Sequence, residues 1–524
     1  MGEYPSEKSH DRYIESRLPL PVEFLSLLRE RSTEGLAKAY EKVIEIAEAV
    51  RGVGGRALLV GGSVRDYFLG KISKDFDVEV YGLAPEALEE LVKKMGVVKE
   101  AGKQFAVLKI PVDTAGEHLE VDVSLPRRDS KIGEGHRGFT VTADPYMSFE
   151  DAARRRDFTF NSMMADPLTG EIIDPFHGLK DLSEKKLRVT DPTLFGDDPL
   201  RVLRALQFIA RFDLTVDPES VHILQENAPK VRELPRERIN EEWEKMLLKG
   251  EKPSCGLDVG MRLGIFQAIH PELLPLLAVT QKENPDVDVW THTMAVVDAA
   301  AAIAKRDKLP DEYKRTLLFA ALVHDLGKPA VIDFGAGKEP DYQIAGVEPA
   351  KKFLDSLGTD NDTRETVLKL VRFHLAPTLL YVAEKVHGAP VSDGTIRVLA
   401  EQIAPATIFE LALLNEADEK ARVNGQKPEA PDETLLSADA APGAWLLERA
   451  RALGVDLRRP GNLMEGREFI ALGFKPGKEL GALIRLANQL RDEHNFTHDG
   501  VITAIKETKN PQEAIAKLEM LRRG

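Results

Sequence analysis

The sequence predicts an α+β chain: a small N-terminal mixed β-sheet with helices, followed by all-α domains. Three observations carry that expectation. Segments of helical and strand period alternate between residues 35 and 125. Residues 75–80 alternate strictly, with Asp75, Asp77 and Glu79 on one face and Phe76, Val78 and Val80 on the other. Beyond residue 148 the apolar spacing is almost wholly helical.

Taken in order, residues 1–20 read as an arm with Pro5 and Pro19 and little periodicity. A helix is expected over 35–50, where Leu36, Ala39, Tyr40, Val43, Ile46, Ala47 and Val50 keep helical spacing. Residues 57–60 form a short strand ended by Gly61-Gly62, and 64–69 a helix stopped by Gly70. The strand over 75–80 precedes a helix over 85–95 and strands over 105–110 and 118–125, the last with Glu120, Asp122 and Ser124 on its polar face. Helices are expected over 149–164, 199–212, 218–228, 236–248 and 254–263, then a linker over 271–285. A second helical block runs from 291 to about 424, a Pro-rich loop from 425 to 442, and a last helical segment breaks at Gly473-Phe474-Lys475-Pro476-Gly477. The implied organisation is an arm and helix over 1–50, a sheet domain over 51–148, helical regions over 149–285 and 286–424, and a helical tail over 425–524.

Composition sets bounds. A chain of 524 residues exceeds one core. No apolar run is expected to span a bilayer, and residues 1–19 lack a signal-peptide core, so no membrane partner is predicted. Cys255 is the only cysteine, which excludes an internal disulfide and fits a reducing cytoplasm. The net charge of −15 argues weakly against nucleic acid, yet phosphate contacts need only a local basic stripe. Arg127-Arg128, Arg154-Arg155-Arg156, Lys185-Lys186-Arg188, and Arg201, Arg204 and Arg211 supply such clusters, each of which is also an ordinary solvated face.

The chemistry concentrates in Gly61-Gly62-Ser63-Val64-Arg65-Asp66, whose glycines are followed about a dozen residues later by Asp75-Phe76-Asp77. Consecutive glycines let a backbone approach phosphate, and the helix behind them points amides at the anion. Arg65, one turn in, is placed to reach a triphosphate. Two carboxylates two residues apart on a strand face lie about 7 Å apart at Cα, close enough for magnesium. Glu120 and Asp122 are candidates for a third carboxylate. Together these parts describe transfer of a nucleotide from a triphosphate onto a hydroxyl.

The run LLVGGSVRDYFLGKISKDFDVEVYG (58–82) resembles the opening motif of the bacterial-type tRNA nucleotidyltransferases, the CCA-adding enzymes, and their poly(A) polymerase relatives. Four further motifs continue the resemblance. They are Arg155-Arg156-Asp157-Phe158-Thr159-Phe160-Asn161, Asp174-Pro175-Phe176-His177-Gly178 with Asp181-Leu182, Asp197-Asp198-Pro199-Leu200-Arg201-Val202-Leu203-Arg204, and Leu234-Pro235-Arg236-Glu237-Arg238 through Glu242. Phe160 stands where the family has isoleucine, and Asp197 where it usually has glutamate. The resemblance implies Mg2+ at Asp75 and Asp77, and nucleotide binding by Gly61, Gly62, Ser63, Arg65, Arg155, Asp157, Asn161, Asp198, Arg201 and Arg204. It assigns ribose contact to Asp157 and Asn161, which share a face if helical. It assigns base selection to Asp198 and Arg201. The Asp accepts from the amine that both C and A carry, so one pair admits both bases without a template. The implied partners are the tRNA 3′ end, CTP and ATP. Poly(A) polymerases and CC- or A-only adders share every motif.

His292, His324-Asp325 and Asp418 form a second constellation on helical segments over 291–304, 317–324 and 409–422. Imidazole plus carboxylate suits a divalent transition metal or Mg2+. Trp290-Thr291-His292-Thr293 and Ala321-Leu322-Val323-His324-Asp325 resemble the HD-domain phosphohydrolases. Asp341-Tyr342-Gln343-Ile344 stands where that group often has extra histidines before the Ala-Gly-Val of Ala345-Gly346-Val347, so one metal with four ligands is expected rather than two metals. His374 reads as a packed helix histidine, with a spare ligand as the alternative. Residues 464–481 resemble the family's tRNA-holding tail, with Lys475, Lys478 and Arg485 as phosphate contacts; Arg211 and Arg238 are further RNA-binding candidates. The sequence assigns no role to the arm and no oligomeric state.

Overall fold

The computed structural model describes residues 18, 21–95, 99–101, 107–112, 118–131, 139–280, 288–332, 342–423, 441–508 and 510–523. The chain divides into two compact units, Met1–Pro235 and Arg236–Gly524. The region expected over 149–285 is therefore split at 235, and the two expected domains beyond 286 share the second unit.

The first unit runs α1 (Pro21–Arg31), α2 (Glu34–Gly52), β1 (Arg56–Val60), α3 (Gly62–Phe68), β2 (Phe76–Tyr81), α4 (Pro85–Lys93), β3 (Lys99–Ala101), β4 (Val107–Val112), β5 (Leu119–Ser124), β6 (Arg127–Lys131), β7 (Phe139–Ala143), α5 (Phe149–Arg154), β8 (Met164–Ala165), β9 (Ile172–Ile173), α6 (Gly178–Ser183), β10 (Lys186–Leu187), α7 (Leu200–Phe212), β11 (Thr215–Val216) and α8 (Pro218–Asn227). Seven strands pair in the order β3-β4-β5-β2-β1-β8-β9. The β2–β5 pair is parallel and the others are antiparallel, a mixed sheet as expected.

Helix α2 lies across β1, β2, β4 and β5. All seven apolar positions read from its period are buried. Thr33 caps it, accepting from the Leu36 N–H at 3.3 Å. The unforeseen α1 packs Phe24 against the rings of Tyr40 and Tyr67, at 4.5 and 5.6 Å. Before it, the Leu18 N–H donates to the Gly170 carbonyl at 2.8 Å.

One expected helix is wrong. Residues 149–164 are helical only through Arg154, with a 3-10 turn over Thr159–Asn161. Phe158 is extended (φ −130°, ψ 151°) and bridges Val189, while Phe158 and Phe160 stack at 5.6 Å and meet Phe208 edge-on. Burying two alternating aromatics beats continuing the helix.

The second unit is helical. Its elements are α9 (Arg236–Lys249), α10 (Pro253–Arg262), α11 (Ile265–Ile269), α12 (Val289–Arg306), α13 (Asp311–Val323), α14 (Lys328–Ile332), α15 (Tyr342–Ala345), α16 (Val347–Leu357), α17 (Asn361–Phe373), α18 (Ala376–Lys385), α19 (Asp393–Ile403), α20 (Ile408–Val423), α21 (Pro442–Ala452), α22 (Gly466–Ala471), α23 (Lys478–His494), α24 (His498–Ile505) and α25 (Pro511–Arg523). Part of the expected linker is a 3-10 helix, Pro271–Ala278; its residues 281–287, Asp341, most of the 425–442 loop and nearly all of the arm lie outside the described residues. Helices α22–α25 enclose a core of their own around Phe469, Leu483, Leu490, Val501 and Leu518.

The bilayer expectation also needs correction. By length and composition alone, the stretch Asn361–Lys385 could cross a membrane, with a mean hydropathy of 1.2. Here α17 ends at His374 and buries Val367, Leu370 and Val371 among other helices, which accounts for its apolar face.

Candidate active sites

Gly61 turns β1 into α3 with φ 68°, a left-handed conformation that favours glycine. A Cβ there would stand 3.3 Å from Arg156 Nη1. Ser63 donates its hydroxyl to the Val60 carbonyl at 3.3 Å, so it shapes the turn. In the β1–β2 register Leu59 faces Val78. The strand end that releases the glycine turn is thus the end where Asp77 sits, and Asp75 is just outside β2 rather than within it. Both aspartates are exposed.

Asp122 is the direct partner of Asp77 across β2–β5. Of the two candidates for a third carboxylate, it is the one aligned with the pair. Lys109 Nζ holds both Asp122 oxygens at 3.1 Å and reaches Glu120 at 3.4 Å. Burial among its neighbours, reinforced by Asp122 and Asp75 and opposed by Arg156 and Lys109, raises the Asp77 carboxyl to about 6. Its area is exposed, yet its surroundings are crowded enough to desolvate the charge. An anionic corner whose members repel one another is a donor set that a hard divalent cation relieves.

Glu79, on the same face, is buried and anchors the cations behind this corner. It pairs with Arg155, accepts from Arg156 at 3.4 Å, and accepts from the Tyr81 hydroxyl at 2.7 Å. Arg155 is therefore engaged by Glu79, and Arg156 is the cation between Gly61 and Asp77. Sequence reasoning quoted Arg156 within a motif but did not select it; the triple-arginine run was the signal.

Arg65 is buried and turned inward. Its Nη1 donates to Asn161 Oδ1 at 2.6 Å, its Nε and Nη2 to Asp66, and its guanidinium covers the rings of Phe208 and Phe212 at 5.1 and 4.9 Å. Asn161 Nδ2 donates to Asp157 Oδ1 at 2.9 Å, and Arg204 Nε donates to Asp157 Oδ2 at 2.7 Å. Asp157 and Asn161 thus meet through the 3-10 turn rather than along an α-helix face. Burial alone would raise the Asp157 carboxyl; Arg204, Asn161 and the Phe158 N–H outweigh it and hold it below the usual range. Asp198 precedes α7 in extended conformation and accepts from the Leu200 N–H at 3.2 Å. Arg201 donates to the carbonyls of Leu194 and Arg155, at 2.7 and 2.5 Å.

The third motif is scaffold. Asp174 caps α6, accepting from the Gly178 and Leu179 N–H groups at 2.7 and 2.9 Å. A Cβ on Gly178 would fall 2.1 Å from the Thr159 carbonyl, so glycine lets α6 abut the turn that carries Asn161.

In the second unit His292, His324, Asp325 and Asp418 come together from α12, the end of α13, and α20. His292 Nε2 lies 3.0 Å from Asp418 Oδ1 and 3.7 Å from Asp325 Oδ2, and His324 Nε2 lies 3.1 Å from the latter. Among the described residues, His292, His324 and Asp325 are the group whose ligand atoms all fall within 4.8 Å of one another. His374, read as packing, also points here, with Nε2 3.9 Å from Asp325 Oδ1. The Nδ1 atoms of His324 and His374 meet the carbonyls of Ala321 and Val371 at 2.9 and 2.7 Å, orienting each Nε2. His292 Nε2, His324 Nε2, His374 Nε2, Asp325 Oδ2 and Asp418 Oδ1 are buried, make no well-aligned hydrogen bond, and face one another and Lys328 at ion-pair distances. Such converging ligand atoms fit a metal centre.

Burial first, then neighbouring His324, pushes His374 down to about 4, leaving a neutral ring. For His324 burial acts downward, but Asp325 and Asp418 outweigh it and raise the ring. Asp325 and Asp418 are held well below the carboxylate range, against burial, chiefly by His324 and Arg422 respectively. Lys328 Nζ is 2.8 Å from Asp325 and Arg422 is 3.0 Å from Asp418, so two cations flank the cluster. Tyr342, from the segment that lacks the extra histidines, sets its ring 5.7 Å from His374.

Of the RNA-binding candidates, Arg211 sits on α7 of the first unit, Arg238 on α9 of the second, and Lys475 and Lys478 are exposed at and just before the start of α23.

Three family models match the chain: the poly A polymerase head domain over residues 57–188, the probable RNA and SrmB-binding site of polymerase A over 213–277, and the HD domain over 289–411. The chain is 33% identical over 413 residues to a multifunctional CCA protein of Xanthomonas campestris, covering 76% of this chain and 92% of that protein. Its fold is similar to the Thermotoga maritima CCA-adding enzyme complexed with tRNA-CCA (TM-score 0.54, 18% identity, 94% of this chain and 97% of that one). It is also similar to the Bacillus stearothermophilus CCA-adding enzyme in complex with CTP (TM-score 0.56, 19% identity, 87% and 93%).

Proposed function

This chain belongs to the family of multifunctional CCA proteins, and from that premise we propose that it adds C and A residues to the 3′ end of tRNA, using CTP and ATP, in the cytoplasm. The observation that carries the reading is the register: Asp77, second in its strand, stands beside Asp122, at the strand end that releases the Gly61-Gly62 turn. Asp75 and Asp77 hold Mg2+, with Asp122 as a third carboxylate freed when Lys109 is neutralised by substrate phosphate. A cation held there would supply a lowered pKa for the attacking hydroxyl and charge neutralisation for the departing pyrophosphate. The glycine turn and Arg156 receive the triphosphate. Asp198 and Arg201 select the base, and Asp157 and Asn161 the ribose. Arg65 and Arg155 act through others, Arg65 by fixing Asn161 and Arg155 by closing the Glu79 pair. Most of the rate comes from positioning and charge neutralisation.

The test is to incubate the full chain with tRNA lacking its end, Mg2+, and CTP and ATP separately and together, then sequence the extended 3′ ends. Addition of CCA supports the reading; CC alone, A alone or a run of A assigns a sibling specificity. Incorporation that survives Asp77→Ala overturns the site.

A second activity has its own observation, the five converging donor atoms of the HD cluster. His292, His324, Asp325 and Asp418, joined by His374, hold a divalent metal, and Lys328 and Arg422 face the phosphate of an ester to be hydrolysed. His324→Ala abolishes phosphate release and leaves incorporation intact if the two sites are independent.

A further inference from the structure

The second unit contains a cleft that neither reading uses. It has a volume of about 400 Å³ and is lined by Arg397, Arg458, Arg459 and Arg491, with Leu453 and Gly461 among the remaining wall. Arg397 comes from α19 and Arg491 from α23, while Arg458 and Arg459 come from the segment after α21.

That segment has a fixed backbone. Gly454 ends α21 at φ 66°, the Val455 N–H returns to the Ala450 carbonyl at 3.0 Å, and Val455 is buried. The Phe409 N–H donates to the Asp456 carbonyl at 3.0 Å, and Arg491 Nη1 donates to the Gly461 carbonyl at 2.6 Å. The arginines are thus presented by a shaped wall rather than a loose loop.

Their charge is under-compensated. Asp492 serves two of them, Arg491 at 2.6 Å and Arg397 at 3.8 Å. Arg459 reaches Glu401 at 3.8 Å, with both side chains more than half exposed. Arg458 donates its Nε to the Gly454 carbonyl at 3.2 Å and has no carboxylate partner among the described residues. Four guanidiniums against two carboxylates leave an excess of two positive charges, in a chain whose net charge is −15. The wall has no aromatic ring, so it offers no surface on which a base would stack. What it offers is planar N–H forks, which match phosphate oxygens.

We propose that this cleft grips the phosphodiester backbone of the RNA substrate, without reading its sequence. The inference rests on the reading of tRNA as the acceptor. Its residues differ from the tail lysines singled out in the sequence: Lys475 and Lys478 stand at and just before the start of α23, whereas Arg491 lies in the last turn of that helix.

The test uses the full chain carrying Arg458→Ala with Arg459→Ala, and separately Arg458→Glu; both residues are exposed, and an unchanged melting temperature confirms the fold. Binding of tRNA lacking its 3′ end is measured by filter retention at roughly 50 to 200 mM salt, and CMP incorporation is measured at saturating tRNA. The expected result is a Kd about ten-fold higher near physiological salt, a plot of log K against log salt shallower by about one to two, and an unchanged kcat. Unchanged affinity and slope overturn the proposal. So does a variant that loses a thermal shift induced by inorganic phosphate while binding tRNA normally, since the cleft would then take a free anion. Wild-type protein that binds tRNA through this cleft but incorporates nothing sinks the transfer reading and leaves the cleft standing; normal incorporation with unaltered tRNA binding by the variants sinks only the cleft.

Discussion

Magnesium binding at the Asp75–Asp77–Asp122 corner should weaken roughly ten-fold between pH 7 and pH 5. The cause is the Asp77 carboxyl, raised to about 6 by burial first and then by Asp122. Such a group is almost fully ionised at pH 7 and about nine-tenths protonated at pH 5, and a cation must displace that proton to bind. Between the ordinary carboxylate range and about pH 6, the metal-free folded chain keeps a proton that the unfolded chain has released. This side chain's contribution to stability is therefore present at low pH and lost as pH rises through that window, and metal binding strengthens over the same window. Isothermal titration with Mg2+ at pH 5, 6 and 7 measures it, the difference between wild type and Asp77→Asn isolating this corner from the HD cluster. Asp122→Asn removes the second cause of the shift and should move the midpoint downward. A wild-type-minus-Asp77→Asn affinity that stays flat from pH 5 to 7, or an Asp122→Asn midpoint that moves upward, would refute the reasoning.

Three further outcomes are expected. Arg204→Ala strips the buried Asp157 of its ion pair; with Arg204 about one-third exposed and its charge screened, the first unit should lose about 1–3 kcal/mol, read as a fall in melting temperature. A cycle with Asp157→Asn should recover a coupling of at least about 0.5 kcal/mol. Gly178→Ala forces a Cβ toward a backbone oxygen 2.1 Å away, so α6 must retreat. It should cost about 1–3 kcal/mol and raise the KM for CTP more than it lowers kcat, because the displaced turn carries Asn161. His374→Ala should reduce divalent transition-metal affinity at the HD cluster by about ten-fold or more, with nucleotide incorporation unchanged; unaltered metal binding returns His374 to a packing role.

Period and spacing carried the elements whose burial follows one rule along the chain. Helix α2 matches its seven apolar positions, and β2 buries Phe76, Val78 and Val80 as its alternation predicts, though Glu79 is buried as well and Asp75 stays outside. The helix expected through 164 broke because Phe158 and Phe160 satisfy an aromatic cluster built with Phe195 and Phe208, residues far along the chain. Helix α1 was missed because its burial rests on Phe24 and Leu28 alone, too few positions to mark a period. The site was legible where chemistry and spacing coincide, as in Asp75-x-Asp77 and His324-Asp325. It was not legible where tertiary contact decides a role. Nothing local distinguishes Arg155, engaged by Glu79, from Arg156 beside Gly61, and a lone histidine capping α17 does not announce that its ring meets His324 at the end of α13 and Tyr342 of α15.

Asp66, Arg65, Asn161, Asp157 and Arg204 form one unbroken relay of donors and acceptors, all buried or half-buried, with the three inner members engaged on both sides. A change at any link reassigns its neighbours' hydrogens. Efforts to retune this enzyme toward altered nucleotides by single substitutions should therefore yield mostly inactive variants, and productive ones should arrive as compensating pairs along the relay.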